Sequence, residues 1–321
     1  MKKVCLLIIA LTLLTEGSFG YLQRAGRKKR DSCFPLGSGT TPNIENIFLG
    51  RCLDFQTKKA IPDACPPSPV NCNQLWDDFK DAIAYKDPCK IPLDAYDTFI
   101  RDVPHQLPRD KTMFWSGTDN IVHAYTEATN TLLTLEDTML GYMANGLQWC
   151  SSTDKRSTGL NFDECPNWWE EGCQVASTAF YSGTSDAIAR QATGVITVML
   201  DGSRTDGAFR NDSYFNLHEF PNLVPSQVSR ADVIIVKPFD KPLFETCGVG
   251  SVAYLESLFK AKGIQFTCTD EDNRAFHIQC SHDPTNELCE RMQPSNSGNL
   301  IGPHHLVAHL LAAVVMVMYW I

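Results

Sequence analysis

Apolar positions in the first half of the chain recur with the spacing of helices. Over residues 73–85 they return every three or four positions, the period of a helix with one buried face. Similar patterns run over about 121–132 and from about Leu135 onward, and prolines separate these segments. We therefore predict a mainly helical domain over residues 45–145.

The second half alternates continuous apolar runs with a helical pattern. Three short runs, at 194–200, 231–236 and 264–268, are rich in β-branched residues, and residues 252–262 between the last two have helical periodicity. Continuous apolar strands separated by helices indicate a parallel sheet with both faces covered. We predict an α/β domain over 146–290, which makes the chain α/β (α+β overall). Ligands are expected at the carboxyl ends of the strands, beside the DGSR loop that follows the first run.

The start of the chain has the pattern of a processing signal. Two lysines precede an apolar run that ends among small residues near Gly20, the order of a secretory signal peptide over residues 1–20. Residues 21–44 follow as a basic segment with the run RKKR at 27–30. This run resembles a processing site, so either the chain is cut after Arg30 or it keeps a basic tail.

The end of the chain also resembles a signal. Residues 306–321 are apolar to the last position and would rise about 24 Å as a helix, short of the roughly 30 Å hydrocarbon core. Small residues and a polar spacer precede them, which is typical of a GPI-attachment signal over 291–321 whose tail is removed. A tail helix that spans the membrane is the alternative. We expect attachment at Asn296, with Ser295 and Ser297 as neighbouring candidates.

Composition supports the secretory interpretation. The net charge of −9 argues against nucleic acid as a partner. Thirteen cysteines, less Cys5 in the signal peptide, leave twelve, and an even number in a secretory context indicates a disulfide-rich framework. Zinc is the competing interpretation, although CxxC pairs are absent. Asn211 begins an N-D-S sequon and is expected to be glycosylated on an exposed loop. We expect the mature protein to be located on the outer face of the plasma membrane or in the lumen of vesicles.

Acids and aromatic residues provide the candidate chemistry. Carboxylates beside aromatic rings suit glycoside-type reactions, in which an oxocarbenium ion must be stabilised. Most surface acids are only solvated, so this signal is weak by itself. Trp115, Tyr181, Tyr214 and Phe215 lie in loop-like contexts near glycine or polar residues. The candidate carboxylates are Asp119, Glu127, Glu136, Asp137 and Glu219.

Five motifs follow one another along the chain: FWSG at 114–117, TLEDTMLGY at 134–142 with Trp149-Cys150, CPNWW at 165–169, VMLDGSR at 198–204, and EFPNL at 219–223. Together they resemble the ADP-ribosyl cyclase/cyclic ADP-ribose hydrolase family over about residues 45–290, and they are closer to its invertebrate type. The resemblance implies a helical domain and an α/β domain with the site between them. It also implies that NAD and NADP are substrates, that nicotinic acid enters by base exchange, and that neither cofactor nor metal is required.

The resemblance implies that Glu219 is the catalytic glutamate. Nicotinamide leaves NAD as a neutral molecule, so the remaining need is a carboxylate that stabilises, traps or holds the cationic ribosyl centre. The expected reaction gives cyclic ADP-ribose, with hydrolysis to ADP-ribose and base exchange from NADP to NAADP as side activities. The other implied catalytic residues are Glu136, Trp115 and Tyr181. The implied substrate-binding residues are Asn145, Ser116, Tyr214 and Phe215.

The adjacent acids Glu136 and Asp137 stand at the head of the third helical pattern. Thr134, three residues before Asp137, is placed to cap that helix, whose positive end favours both acids. The resemblance implies that Glu136 meets the nicotinamide side of the site, while Asp137 serves the helix. Asn145 follows about two and a half turns after Glu136 if the helix continues. Its neutral amide stands where the mammalian hydrolase type has aspartate.

Three further positions distinguish this chain within the resemblance. Tyr181 stands where the family usually has a second tryptophan, which predicts either a changed partition between cyclisation and hydrolysis or a changed base preference. Gly117 stands where the mammalian type has arginine, so that arginine's phosphate contact is not implied here. Tyr214 matches the aromatic residue of the invertebrate type, whose ring could hold adenine over the ribose and exclude water. The match at Tyr214 favours net cyclase activity.

The resemblance also implies a disulfide pattern, and two other functions stay open. The implied bridges are Cys52–Cys72, Cys89–Cys173, Cys150–Cys165, Cys247–Cys268 and Cys280–Cys289, with Cys33–Cys65 left as an extra pair. The alternative functions are a GPI-anchored recognition or adhesion module whose nucleotide pocket does not turn over, and a plain O-glycosidase. The sequence leaves the oligomeric state open, with a homodimer among the alternatives.

Overall fold

The structure is a computed structural model that describes residues 39–59, 69–105, 107–167, 172–270 and 272–291, all within one compact unit. Both terminal signals lie outside the described residues, together with Asn296, the Cys33–Cys65 pair and the two tryptophans of the CPNWW motif. None of the helices in the described ranges combines the length and hydrophobicity needed to cross a membrane.

The first part of the described chain is mainly helical. Its helices are α1 (Ile44–Asp54), α2 (Cys72–Asp81), α3 (Asp97–Asp102), α4 (Asp119–Thr129) and α5 (Met139–Ala144). Helix α2 begins where the side chain of Asn71 accepts hydrogen bonds from the backbone N–H groups of Asn73 and Gln74. It buries Leu75 and Phe79, as the apolar period of the sequence predicts.

Aromatic rings form the core of this helical part. The fully buried ring of Phe79 lies 4.9 Å from Phe48 of α1, 5.2 Å from Trp149 and 5.7 Å from Phe180, between ring centroids. The indole N–H of Trp149 donates a hydrogen bond of 2.7 Å to the buried hydroxyl of Tyr96, so this polar pair is satisfied inside the core. The core therefore joins the first helices to the later segments that contain Trp149 and Phe180.

A four-stranded parallel sheet in the order β1-β2-β3-β4 forms the rest of the fold. The strands are β1 (Met113–Ser116), β2 (Gly194–Asp201), β3 (Val228–Val236) and β4 (Gln265–Asp270). The accompanying helices are α6 (Ala176–Gln191), α7 (Phe220–Asn222), α8 (Gly250–Ala261), α9 (Asn273–His282) and α10 (Glu287–Arg291). The predicted α/β class is confirmed, and the three apolar runs of the sequence are β2, β3 and β4.

Strand β2 and the end of β3 are buried on both faces, which explains their continuous apolar runs, whereas β4 is an edge strand with exposed polar residues. Phe114 and Val198 are register partners that face the main core, which includes residues of α6 and α8. Met199 and Ile234 face the opposite side, in a second cluster with residues of α4 and α9. Strand β1 was not predicted, because its four residues are too few to show a strand pattern; it joins the sheet through β2.

The third helical pattern begins at Leu135, as predicted, but the helix does not continue unbroken to Asn145. Residues Leu135–Asp137 form a single 3-10 turn, and Thr138 then takes an extended backbone with ψ of 163°. Thr138 also caps α5, because its hydroxyl accepts a hydrogen bond from the backbone N–H of Gly141. Thr134 therefore caps the 3-10 turn and Thr138 caps α5, where a single continuous helix would have only one N-cap.

Five disulfides are present among the described residues, and they are the five pairs implied by the resemblance. The bridge Cys89–Cys173 has the largest sequence separation, 84 residues, and ties the segment after α2 to the segment before α6. The bridge Cys247–Cys268 fastens the segment before α8 to strand β4. Covalent links therefore hold both the helical part and the sheet.

Candidate active site

Glu219 lies on a π-helical turn that packs against α6. The turn spans Phe215–Glu219, with the backbone N–H of Phe220 bonded to the carbonyl of Phe215, and α7 continues from it. The loop-like context expected for Tyr214 and Phe215 is therefore wrong. The ring of Phe215 is fully buried, 5.9 Å from Phe114 of β1, so it supports the turn from beneath. Turns of this kind occur mostly as single insertions in helices at functional sites.

The carboxylate of Glu219 is buried and only half satisfied. One oxygen, Oε1, accepts a hydrogen bond of 3.1 Å from the hydroxyl of Ser185 on α6. The other, Oε2, is buried without a hydrogen-bond partner among the described residues. Burial raises the pKa of Glu219 to about 8; the bond from Ser185 lowers it in part, and the nearby charge of Glu136 raises it further. A cation beside Oε2 would favour the charged form.

Glu136 is the second acid of the site. It sits in the 3-10 turn Leu135–Asp137, and its Oε2 atom is also buried without a partner among the described residues. The neighbouring Asp137 closes a capping box, since one of its oxygens accepts hydrogen bonds of 3.1 Å from both the backbone N–H and the hydroxyl of Thr134. The two adjacent acids therefore differ: Asp137 is bonded to Thr134, whereas the charge of Glu136 raises the pKa of both Glu219 and Tyr181.

Tyrosine rings lie beside these acids. Tyr181 is on α6, which makes its expected loop-like context wrong, and its ring meets that of Tyr214 at 6.3 Å in an edge-to-face arrangement. Trp149 packs on the other side of Tyr181 at 6.4 Å. Burial raises the pKa of the Tyr181 hydroxyl, and the charge of Glu136 adds to the effect. Both hydroxyls of the tyrosine pair therefore stay protonated at neutral pH.

Trp115 is on β1 rather than in a loop, and its partner was missed by the sequence analysis. The ring of His123 on α4 lies 5.7 Å from Trp115, edge to face, and its Nε2 is 3.3 Å from Oδ1 of Asp119. Burial by itself would lower the pKa of His123, but the bond to Asp119 and the charges of Glu136 and Asp137 raise it. The only sequence signal was the spacing of four residues between Asp119 and His123 on one helix.

Asn145 ends α5 and is held by a cation from α1. The guanidinium of Arg51 donates hydrogen bonds of 2.7 Å to the backbone carbonyl of Asn145 and 3.2 Å to that of Met143. These are carbonyls at the end of a helix, where a positive charge is favourable. The charge of Arg51 also acts on Tyr181. Asn145 is therefore fixed by its backbone carbonyl to Arg51 of α1.

The carboxyl ends of β1 and β2 form the remaining edge of the site. The hydroxyl of Ser116 is buried and has no partner among the described residues. Gly117 follows with φ of +75°, and a Cβ atom there would lie 3.1 Å from Cβ of Asp201 and 3.2 Å from Cδ of Arg204. A larger residue at 117 would be strained and would push against Arg204. Two other candidates lie on the surface: Glu127 on α4 and Asn211 are exposed.

Fold and site together define an α/β enzyme whose buried carboxylate lies on a turn that packs between α6 and strand β1 of a parallel sheet. The ADP-ribosyl cyclase family model matches residues 41–289. An ADP-ribosyl cyclase/cyclic ADP-ribose hydrolase of Aplysia californica is 37% identical over 251 residues, covering 78% of this chain and 87% of that protein. The ADP-ribosyl cyclase/cyclic ADP-ribose hydrolase 2 of Rattus norvegicus is 31% identical over 320 residues, 97% of each chain.

Solved structures agree with this match. The crystal structure of Aplysia cyclase complexed with substrate NGD and product cGDPR has a TM-score of 0.71 and 36% sequence identity, covering 78% of this chain and 98% of that one. The chain belongs to the ADP-ribosyl cyclase family.

Proposed function

We propose that this protein cleaves the bond between nicotinamide and ribose in NAD and releases cyclic ADP-ribose as its main product. The observation that carries the proposal is the carboxylate of Glu219, buried with one oxygen bonded to Ser185 and the other without a partner among the described residues. A buried carboxylate with a free lone pair is suited to a cation that forms only during the reaction. The pyridinium ring of bound NAD and the ribosyl cation formed from it both carry a positive charge.

The proposed reaction needs no general acid. The C–N bond breaks with its electron pair going to the nicotinamide nitrogen, so nicotinamide leaves neutral and the positive charge moves to the ribosyl carbon. Glu219 stabilises this centre electrostatically or by forming a bond to it. Attack by an adenine nitrogen closes the cyclic product, and attack by water, with loss of a proton, gives ADP-ribose. Glu136 would meet the nicotinamide, and its charge beside Glu219 favours a cationic substrate.

The aromatic residues are proposed to direct the second step. The rings of Tyr181 and Tyr214 pack against each other, and Trp115 is on strand β1. An aromatic face binds a pyridinium or a purine, so these rings can fold the substrate back on itself and exclude water. Ser116, with its unpartnered hydroxyl at the strand end, is proposed to bind a phosphate, and the amide of Asn145 to bind the nicotinamide carboxamide. Phe215 would contribute from beneath through its backbone.

The test uses the secreted chain with NAD and with its guanine analogue NGD. We expect nicotinamide release from both substrates and a fluorescent cyclic product from NGD. Release without any cyclic product would leave a plain NAD hydrolase. No release from either substrate would favour the alternative, a recognition or adhesion module with a nucleotide pocket that does not turn over.

Further parts of the proposal concern exchange and location. With NADP and nicotinic acid, the trapped ribosyl centre would accept the second base and give NAADP. We also propose a place in the secretory pathway, with a GPI lipid as the membrane anchor and a carbohydrate on Asn211, which is exposed. Release of the protein from cells by a phosphatidylinositol-specific phospholipase C would support the anchor, and retention after that treatment would contradict it.

A further inference from the structure

Tyr214 is held between two rings. Tyr181 meets it edge to face at 6.3 Å, and His218, four residues further along the same turn, lies 5.6 Å away with its plane tilted by 33°. The side chain of Tyr214 is still 37% exposed, so burial alone does not fix its orientation. The hydroxyl of Tyr214 is hydrogen-bonded to Thr178 of α6, and the imidazole of His218 limits how far the ring can turn about that contact.

His218 is in turn held by a carboxylate of α6. Its Nδ1 lies 3.1 Å from Oδ1 of Asp186. Because an ionised carboxylate only accepts hydrogen bonds, the contact places the hydrogen on Nδ1. Both side chains are partly buried, with 20% of His218 and 29% of Asp186 exposed. This reduced exposure makes the contact more valuable than a surface pair.

Oδ1 of Asp186 also accepts a hydrogen bond from the segment that follows the π turn Phe215–Glu219. The amide of Asn222, at the end of α7, donates hydrogen bonds of 2.9 Å to Oδ1 of Asp186 and 2.8 Å to the backbone carbonyl of His218. Arg190, one turn after Asp186 on α6, donates a bond of 2.8 Å to the amide oxygen of Asn222. Arg190 thus reaches the end of the turn, but His218 is held by Asp186.

We propose that Asp186 and His218 form a positioning pair that fixes the ring of Tyr214 and thereby sets the ratio of cyclic to linear product. The proposal rests on the proposed function. Cyclisation needs the purine held over the ribosyl centre, whereas hydrolysis needs only water at that centre. A Tyr214 ring that is free to turn holds the purine less well and admits water. Neither Asp186 nor His218 contacts the reacting atoms in this account; both act through Tyr214.

The test measures the ratio of cyclic to linear product from NGD for Asp186→Ala, His218→Ala and the double variant. The ratio is formed by the same active molecules, so it does not depend on how much of a variant is folded. We expect each single variant to lower it by about threefold to tenfold, the effect of one lost hydrogen bond. The double variant should lower it no further, and Asp186→Asn, which keeps an acceptor oxygen, should restore most of it.

Arg190→Gln is the matched control. It removes the bond to Asn222 and the 3.8 Å ion pair between Arg190 and Oδ2 of Asp186, and it leaves the contact between Oδ1 of Asp186 and His218 in place. We expect its product ratio to equal that of the wild type. An unchanged ratio in Asp186→Ala, or an equal fall in Arg190→Gln, would overturn the proposal. A wild-type protein that releases no nicotinamide would instead contradict the proposed function, so the two failures are distinguishable.

Discussion

Glu219 is kept where its charge destabilises the fold. Its pKa rises from an ordinary value of 4.5 to about 8 because the carboxyl is buried, so the folded protein prefers the protonated form. The stability that this preference provides is complete below the ordinary pKa and is lost as the pH rises toward about 8. By linkage the loss amounts to about 5 kcal/mol at most. This cost of burying the charged carboxylate is expected for a site that binds a cation.

Glu219→Gln should therefore separate activity from stability. We expect kcat to fall by at least about a hundredfold to a thousandfold, because the charge that stabilises the ribosyl cation is gone. We also expect the Tm of the variant to exceed that of the wild type at pH 9 and to match it near pH 5. Thermal unfolding at both pH values measures this. Glu256→Gln, which changes an exposed carboxylate on α8, should alter neither quantity; a Glu219→Gln protein less stable than the wild type at pH 9 would contradict the account.

Tyr181→Trp restores the ring that the family usually has at this place. Tyr181 contacts Tyr214 and Trp149, so a larger ring must change the surface on which the substrate folds. We expect a changed ratio of cyclic to linear product with both NAD and NGD. Equal ratios in the variant and the wild type would show that the size of this ring does not control the partition.

Tyr214→Gly removes the ring altogether. If this ring holds the purine and excludes water, the ratio of ADP-ribose to cyclic product should rise severalfold while nicotinamide release continues. Chromatographic separation of the two products measures this. A loss of all release would point instead to a role for Tyr214 in the first step, and an unchanged ratio would remove the ring from the account of cyclisation.

The 3-10 turn and α5 touch so closely that only glycine fits between them. A Cβ atom on Gly141 would lie 2.3 Å from the carbonyl oxygen of Leu135 and 2.8 Å from the Cα atom of Glu136. Because both neighbours are backbone atoms, the turn itself would have to move. The position of Glu136 in the site is therefore set by a glycine five residues away.

Gly141→Ala should both destabilise the protein and impair catalysis. Relief of the overlap costs about 1–3 kcal/mol and displaces Glu136 from the site. Urea unfolding and the kcat for nicotinamide release measure the two effects. Gly50→Ala is the control, since no atom lies within 4 Å of a Cβ there and alanine favours helix α1 by about 0.5–1 kcal/mol. Equal stability of the two variants would contradict the close contact.

Elements with a regular apolar period could be predicted from the sequence, and those defined by local polar contacts could not. The strands β2 and β3 followed from their continuous apolar runs, because a strand segment covered on both faces has few polar positions, and β4 was predicted from the run at 264–268 although it is an exposed edge strand. The break at Thr138 depends on two side-chain caps that compete with helix continuation, and Thr138 donates its hydroxyl to the carbonyl of Leu135. The π turn before Phe220 depends on tertiary contacts with α6, which no local pattern encodes.

The site could be predicted only in part for a similar reason. Glu219, Glu136 and the tyrosines became candidates because the order of the motifs resembles a family, and their roles stay predictions. Ser185, His123 and Asp186 carry no motif and were missed, because their roles depend on the helices α4 and α6 that bring them to the site. Helix α6 itself was not predicted. The domain boundary near residue 145 stays a prediction, although β1 links the first part to the sheet of the second.

The disulfides should contribute unequally to the stability of the fold. In the chain-entropy model, closing a loop of 84 residues is worth about 4 to 5 kcal/mol, and closing one of 9 residues about 2 to 3 kcal/mol. Replacing both cysteines of Cys89–Cys173 by serine should thus cost more than the same change in Cys280–Cys289. Urea unfolding of the two double variants measures the difference. Equal losses would show that loop closure does not dominate.

The most direct test of the account is the rate of nicotinamide release from NAD across pH, compared between the wild type and Glu219→Gln. Since free-enzyme groups govern kcat/KM and Glu219 must be ionised, kcat/KM of the wild type should rise with pH and level off above about 8. Glu219→Gln should show almost no release at any pH. A wild-type profile that is flat between about pH 6 and pH 10, or a Glu219→Gln rate near that of the wild type, would contradict the assignment of Glu219 as the catalytic carboxylate.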